Sequence, residues 1–132
     1  MGQIQNASGI SYTRDPTPGT FAAIVGLDNR MGLTAADAAA KTLFTTTAAG
    51  QLFRLSARVL ATAGSSATYT LTWTEGGVER TEALTVAGAG TEYAGTWLIQ
   101  PDNATNITAQ LTAISASTVN VAASVECLKG NL

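Results

Sequence analysis

The chain has a single thiol, Cys127, and no histidine. A cysteine nucleophile acts as the thiolate, and the base that usually supports it is histidine. With no such base and no second cysteine, Cys127 reads as a small buried hydrophobe near a strand end. Metal chemistry lacks ligands for the same reason. Glu75, Glu79 and Glu82 sit around a hairpin tip where oxygen ligands could hold calcium, but a solvated turn accounts for them. Hydrolysis by paired carboxylates needs two acids in one cleft with separated pKa values. Glu92 and Asp102 flank one loop, and nothing marks them as such a pair. Gly88-Ala89-Gly90 is a fragment of the dinucleotide-binding pattern, without the third glycine or the following helix. No catalytic residue, metal ligand or cofactor is therefore expected, and the chain reads as a non-enzyme. Trp73 and Trp97 could stack on sugars. Trp73, however, shares its strand face with Tyr69 and Leu71, which favours burial.

The elements that would carry these residues are strands. In QLFRLSARVLAT, residues 51–62, Phe53, Leu55, Ala57 and Val59 fall on one face and Arg54, Ser56 and Arg58 on the other. That two-residue period marks a half-buried strand. In ATYTLTWT, Tyr69, Leu71 and Trp73 alternate with Thr68, Thr70, Thr72 and Thr74. The threonine face is uncharged, flat and β-branched, so another subunit could cover it. Glu75-Gly76-Gly77-Val78 predicts a tight hairpin, because two glycines can take positive φ. The return strand alternates Arg80, Glu82, Leu84 and Val86 with Glu79, Thr81, Ala83 and Thr85. Further strands are expected over Thr20–Leu27, Thr42–Thr46 and Thr96–Gln100. ITAQLTAI places Ile107, Ala109, Leu111 and Ala113 on one face. The last strand places Val119, Val121, Ala123, Val125 and Cys127 on one face. Asp28-Asn29-Arg30 reads as a turn, and Thr34 with Asp37 as a capped helix start or a loop.

Seven or eight short strands with frequent turns predict an all-β fold, an antiparallel β-sandwich of jelly-roll type. Spacing leaves an immunoglobulin-like strand order open. The 132 residues amount to one domain, expected over residues 20–132. Residues 1–19 are expected to form an extended arm, broken by Gly2, Gly9, Pro16, Pro18 and Gly19, with only Ile4, Ile10 and Tyr12 to bury. Charged residues make up 12% of the chain, about half the usual 25% or so. The net charge is −2. Without a basic stripe, no nucleic-acid partner is expected. The apolar runs fall far short of the roughly 20 residues that span a bilayer, so no membrane partner is expected either. The first six residues lack the pattern of a secretion signal, which points to assembly in the cytoplasm of the producing cell. Three glycosylation-type triplets occur, as a threonine-rich and serine-rich chain produces by chance.

Residues 42–128 carry a resemblance. The run Thr42-Leu43-Phe44-Thr45-Thr46-Thr47-Ala48-Ala49-Gly50-Gln51-Leu52-Phe53-Arg54-Leu55-Ser56 resembles one that opens a compact β-domain in phage virion proteins. A TLTWT strand with a glycine-bearing turn follows, and the chain closes on a strand like Val119–Leu128. Gln51 departs from the pattern as an extra residue between Gly50 and the aromatic strand, and leaves the exact register of that strand open. These domains resemble C1q and tumour-necrosis-factor heads. The resemblance implies a virion protein, a capsid decoration or cement protein, acting as a homotrimer bound to the major capsid protein or other virion proteins. The alternative is a head-fibre or tail-fibre module that recognises a bacterial surface glycan. The expected assembly contacts are Ile4, Ile10, Tyr12, Thr68, Thr70, Thr72 and Thr74.

Overall fold

A computed structural model of the chain describes residues 3–5, 11–13, 23–63, 66–115 and 118–130. In chain order the strands are β1 (Gln3–Gln5), β2 (Ser11–Thr13), β3 (Ala23–Leu33), β4 (Lys41–Thr45), β5 (Leu52–Ala63), β6 (Ser66–Glu75), β7 (Val78–Ala87), β8 (Glu92–Ile99), β9 (Asn106–Ser115) and β10 (Thr118–Lys129). β1 and β2 pair antiparallel, with Ile4 opposite Tyr12. The other eight make two antiparallel four-stranded sheets, ordered β3-β10-β5-β8 and β4-β9-β6-β7. The last two strands enter the middle of the sheets: β9 lies between β4 and β6, and β10 between β3 and β5. This interleaving is the double Greek key of a jelly roll, which decides between the two strand orders that spacing leaves open.

The core fills the space between the sheets. Phe53, Leu55, Val59, Val119, Val125 and Cys127 from one sheet meet Tyr69, Leu71, Leu84, Ile107 and Leu111 from the other, all fully buried. The alternation expected for β5, β6, β7 and β10 is the alternation observed. Phe44 and Phe53 meet at 5.5 Å between ring centroids, tilted by 54°, a favourable aromatic geometry. Gly76 and Gly77 form the hairpin turn with φ of 62° and 74°, as a two-residue turn between twisted strands requires. The Asp102 carboxylate accepts hydrogen bonds from both of their amides, at 2.8 and 2.7 Å.

Several expectations need correction. β3 does not stop at Leu27 but runs on to Leu33, so Asp28-Asn29-Arg30 is strand rather than turn. Residues 20–22, where that strand was expected to begin, lie outside those described. β8 begins at Glu92 rather than Thr96. On β9 a register shift falls between Thr68↔Ala113 and Tyr69↔Leu111. It turns Ala113 outward and packs Ile114 against the core in its place. Gln51 does not disturb β5, whose pairing with β8 is continuous from Phe53 to Leu60. Instead it is fully buried before the strand. Its side-chain oxygen accepts from the Thr47 and Ala48 amides, and its Nε2 donates to Thr47 Oγ1. Thr34 and Asp37 do form a reciprocal cap, on one 3-10 turn over Ala35–Asp37.

Asp28 explains why β3 continues. Its register partner Ala123 faces the core, as does Val121, the partner of Arg30. Asp28 and Arg30 therefore lie side by side on the inward face, two residues apart. The Arg30 guanidinium donates Nε and Nη2 to the Asp28 carboxylate at 2.6 and 2.8 Å. The Tyr69 hydroxyl, from the opposite sheet, donates to Oδ2 at 2.5 Å. Lys41 Nζ lies 3.7 Å from Oδ1. Burial pushes the Asp28 carboxyl up, but the hydrogen bonds from Arg30 and Tyr69 and the charges of Arg30 and Lys41 together hold it below its ordinary value of 3.8. Burial, and then donation to Asp28, raises the Tyr69 phenol well above its usual value. The result is a charged clamp between the two sheets.

Four substitutions test these backbone and clamp geometries. A Cβ on Gly26 would lie 2.1 Å from the Leu43 carbonyl oxygen, so Gly26→Ala is expected to cost about 2–3 kcal/mol in denaturant unfolding. Ala104 holds a left-handed φ of 58°, so Ala104→Gly is expected to raise stability by about 1 kcal/mol. Removing the carboxylate leaves Arg30 and Lys41 without their partner, and Asp28→Ala is expected to cost about 3 kcal/mol at pH 7. Because the folded pKa of Asp28 lies below the unfolded one, the clamp contributes fully above pH 3.8. That contribution is lost as the pH falls from 3.8 through the lower folded value. Unfolding curves of Asp28→Asn should lack this part of the acid dependence.

Candidate assembly surface

Most of the reactive groups singled out in the sequence are committed to structural contacts, while Glu79 is exposed and Glu82 half-buried on β7. Cys127 is buried, and its thiol donates to the Lys129 carbonyl at 3.6 Å. Burial raises its pKa more than that contact lowers it, so it is a poor nucleophile at neutral pH. Glu75 accepts from the Gln100 amide at 2.8 Å. Glu92 is paired with Arg58 at 2.6 Å, which holds the carboxyl below and the guanidinium above their ordinary values. Asp102 is committed to the hairpin. Among the described residues no three His, Cys, Asp or Glu side chains stand together as metal ligands. Among the same residues no helix is long and apolar enough to cross a membrane. Trp73 is buried, and Trp97 packs partly buried against the core, with its indole over Gly95. Neither offers a flat exposed ring to a sugar.

What the fold presents outward is two sheet faces. The face of the β4-β9-β6-β7 sheet carries Thr68, Thr70, Thr72 and Thr74, all half-buried. Cross-strand register places Thr68 beside Thr85, and Thr72 beside Thr81 and Thr108. Hydroxyls bond across the strands at 3.0 Å for Thr68 and Thr85 and at 2.8 Å for Thr70 and Thr112. The four threonines thus lie in one layer, next to Glu79 at its Thr74 end, and the methyl groups and the paired hydroxyls of Thr68 and Thr70 can be covered at little desolvation cost. Of the other expected contacts, Ile4 and Tyr12 are register partners in β1 and β2, and Ile10 lies outside the described residues.

The face of the β3-β10-β5-β8 sheet is the surface that the sequence reading passed over. Ile24, Leu27 and Met31 on β3 and Leu98 on β8 are all exposed there. Beside Leu27 the face falls into a shallow trough of about 440 Å³. The signal was present in the alternation. Once Phe53 and Val125 face the core, Leu98, Leu27 and Ile24 must face away. Finding it requires knowing which strands are neighbours, because these residues come from opposite ends of the chain.

No family model and no curated protein matches the chain. Among solved structures, it is similar to a chain from Bacillus endospore appendages, described as a family of disulfide-linked pili. Identity is 9%, the match covers 91% of this chain and 96% of that one, and the TM-score is 0.50. A chain from the structure of infectious bursal disease virus, Gx strain, matches over 98% of this chain and 37% of its own length, at 15% identity and a TM-score of 0.41. At these identities what is shared with the appendage chain is the fold: an all-β sandwich traced over nearly the whole of both chains.

Proposed function

We propose that the chain is a structural subunit of a phage virion, a capsid decoration or cement protein that self-associates and binds the shell. The observation that carries this reading is the pair of broad outer sheet faces, poor in charge, on a fold whose Cys127, Glu75, Glu92 and Asp102 are already held in structural contacts. A surface of that kind suits repeated weak contacts in a symmetric assembly, where many small patches sum to high avidity. The phage resemblance of residues 42–128 supplies the virion, the location and the trimer. A similar fold in an appendage that assembles into pili is consistent with a structural role. In this reading residues 1–19 are the arm that lies on the shell, and residues 20–132 are the head. The fibre alternative asks for exposed tryptophan or tyrosine at loop tips; both tryptophans turn inward, whereas Tyr93 at the start of β8 is exposed.

The test is physical association with particles. Density-banded phage particles from the producing cell should contain the chain in stoichiometric amount by quantitative mass spectrometry. Chain lacking residues 1–19 should keep its solution mass and fail to co-sediment with particles stripped of the native protein. Absence of the chain from every banded particle would sink the proposal.

A further inference from the structure

The outer face of the β3-β10-β5-β8 sheet combines a ridge with a hollow. Ile24, Leu27 and Met31 stand along β3 at 54%, 58% and 78% exposure, and Leu98 on β8 is 66% exposed. The trough beside them is lined by Ser56, Ala94, Thr96, Ala122 and Ser124. Register sets these residues in rows across the sheet. One row runs Leu27, Ser124, Ser56, Thr96, and the next Ile24, Glu126, Arg54, Leu98. Monomers seldom leave such an apolar ridge uncovered.

We infer that this face packs against the same face of a second copy about a two-fold axis parallel to the strands. The inference rests on the reading of the chain as a self-associating subunit and names the surface that does it. Such an axis lays each row against its own counterpart with the ends exchanged. Leu27 then sits over Ser56 and Thr96 of the second copy, filling the trough, and Ile24 meets Leu98 of the second copy. Arg54 faces Glu126 of the second copy, so the charges in that row are complementary across the contact as well as within one copy, where they pair at 2.6 Å. Arg58 and Glu92 are likewise closed on each other, so these two pairs add no net charge to repel an identical face.

Size and edge geometry agree with this arrangement. Four strands about 4.8 Å apart and eight residues long make a patch about 19 by 27 Å. That is of the same order as the roughly 800 Å² per partner of a standard interface. The edge of β3 is a poor template for adding a strand, because its register with β10 shifts twice, at Val119/Val121 and at Val125/Glu126. The apolar residues it exposes are therefore covered through the face.

The test is solution mass by light scattering after size exclusion, across concentration, for the full chain and for Leu27→Asp and Thr96→Arg. Both positions are exposed, and a wild-type circular dichroism spectrum with a cooperative unfolding transition confirms that each variant folds. The expected wild-type species is a dimer, or a hexamer where a threefold contact also forms. Each variant should halve that mass and weaken association by about tenfold or more. A wild-type trimer, or an even-numbered species that neither variant disturbs, overturns the two-fold contact while leaving self-association intact. A wild-type monomer at every concentration overturns both.

Discussion

Two sheets can stack in this chain because every second side chain along each central strand is apolar, so that one continuous layer is removed from water on both sides. β5 and β10 supply half of that layer and β6 and β9 the other half. Burial of such residues is the main favourable term in folding, at about 25 cal/mol per Å² of apolar surface. A one-residue slip anywhere would turn a whole strand inside out. The Asp28 clamp is the conspicuous polar exception. A bare carboxylate in that layer would be prohibitive. Two hydrogen bonds from Arg30, one from Tyr69 and the nearby Lys41 make it tolerable, and they tie β3 to a strand of the opposite sheet.

The same economy governs the surface. Arg30, Arg54 and Arg58 each close on an acid, and Asp102 is occupied by the hairpin. A chain with so few charges, spent largely in pairs, presents hydroxyls and methyl groups on its outer faces. On the threonine face Thr68 and Thr70 are tied by cross-strand hydrogen bonds, whereas the opposite face has exposed leucine, isoleucine and methionine beside a trough of small side chains. The two faces therefore differ physically: one is covered by threonine side chains, half-buried and in part hydrogen-bonded to one another, the other has apolar area still in contact with water.

Local irregularities adapt the sheets to each other. Gly26 is required where β3 crosses the backbone of β4, since any side chain would meet the Leu43 carbonyl. The β9 shift exchanges Ala113 for Ile114 on the inward side. Gln51 fills the turn before β5 by bonding to the Thr47 and Ala48 amides, taking the place of backbone partners that the loop lacks.

By itself the sequence determined the all-β class, the inward faces of β5, β6, β7 and β10, the two-glycine hairpin, the capped turn at Thr34 and the burial of Cys127. Each follows from alternation or turn chemistry within about ten neighbouring residues. Local pattern misread Asp28-Asn29-Arg30 as a turn, because the composition is turn-like and the strand they pair with, Val121 to Ala123 of β10, lies at the far end of the chain. The β9 shift and the start of β8 depend on pairing with strands elsewhere in the chain. Tertiary structure alone decided the strand order, since β10 chooses β3 and β5 as neighbours by long-range hydrogen bonding that no local periodicity encodes. It also decided the outer apolar face: Ile24 and Leu27 on one edge strand and Leu98 on the other share a surface only because β3 and β8, distant in sequence, flank β10 and β5 in one sheet.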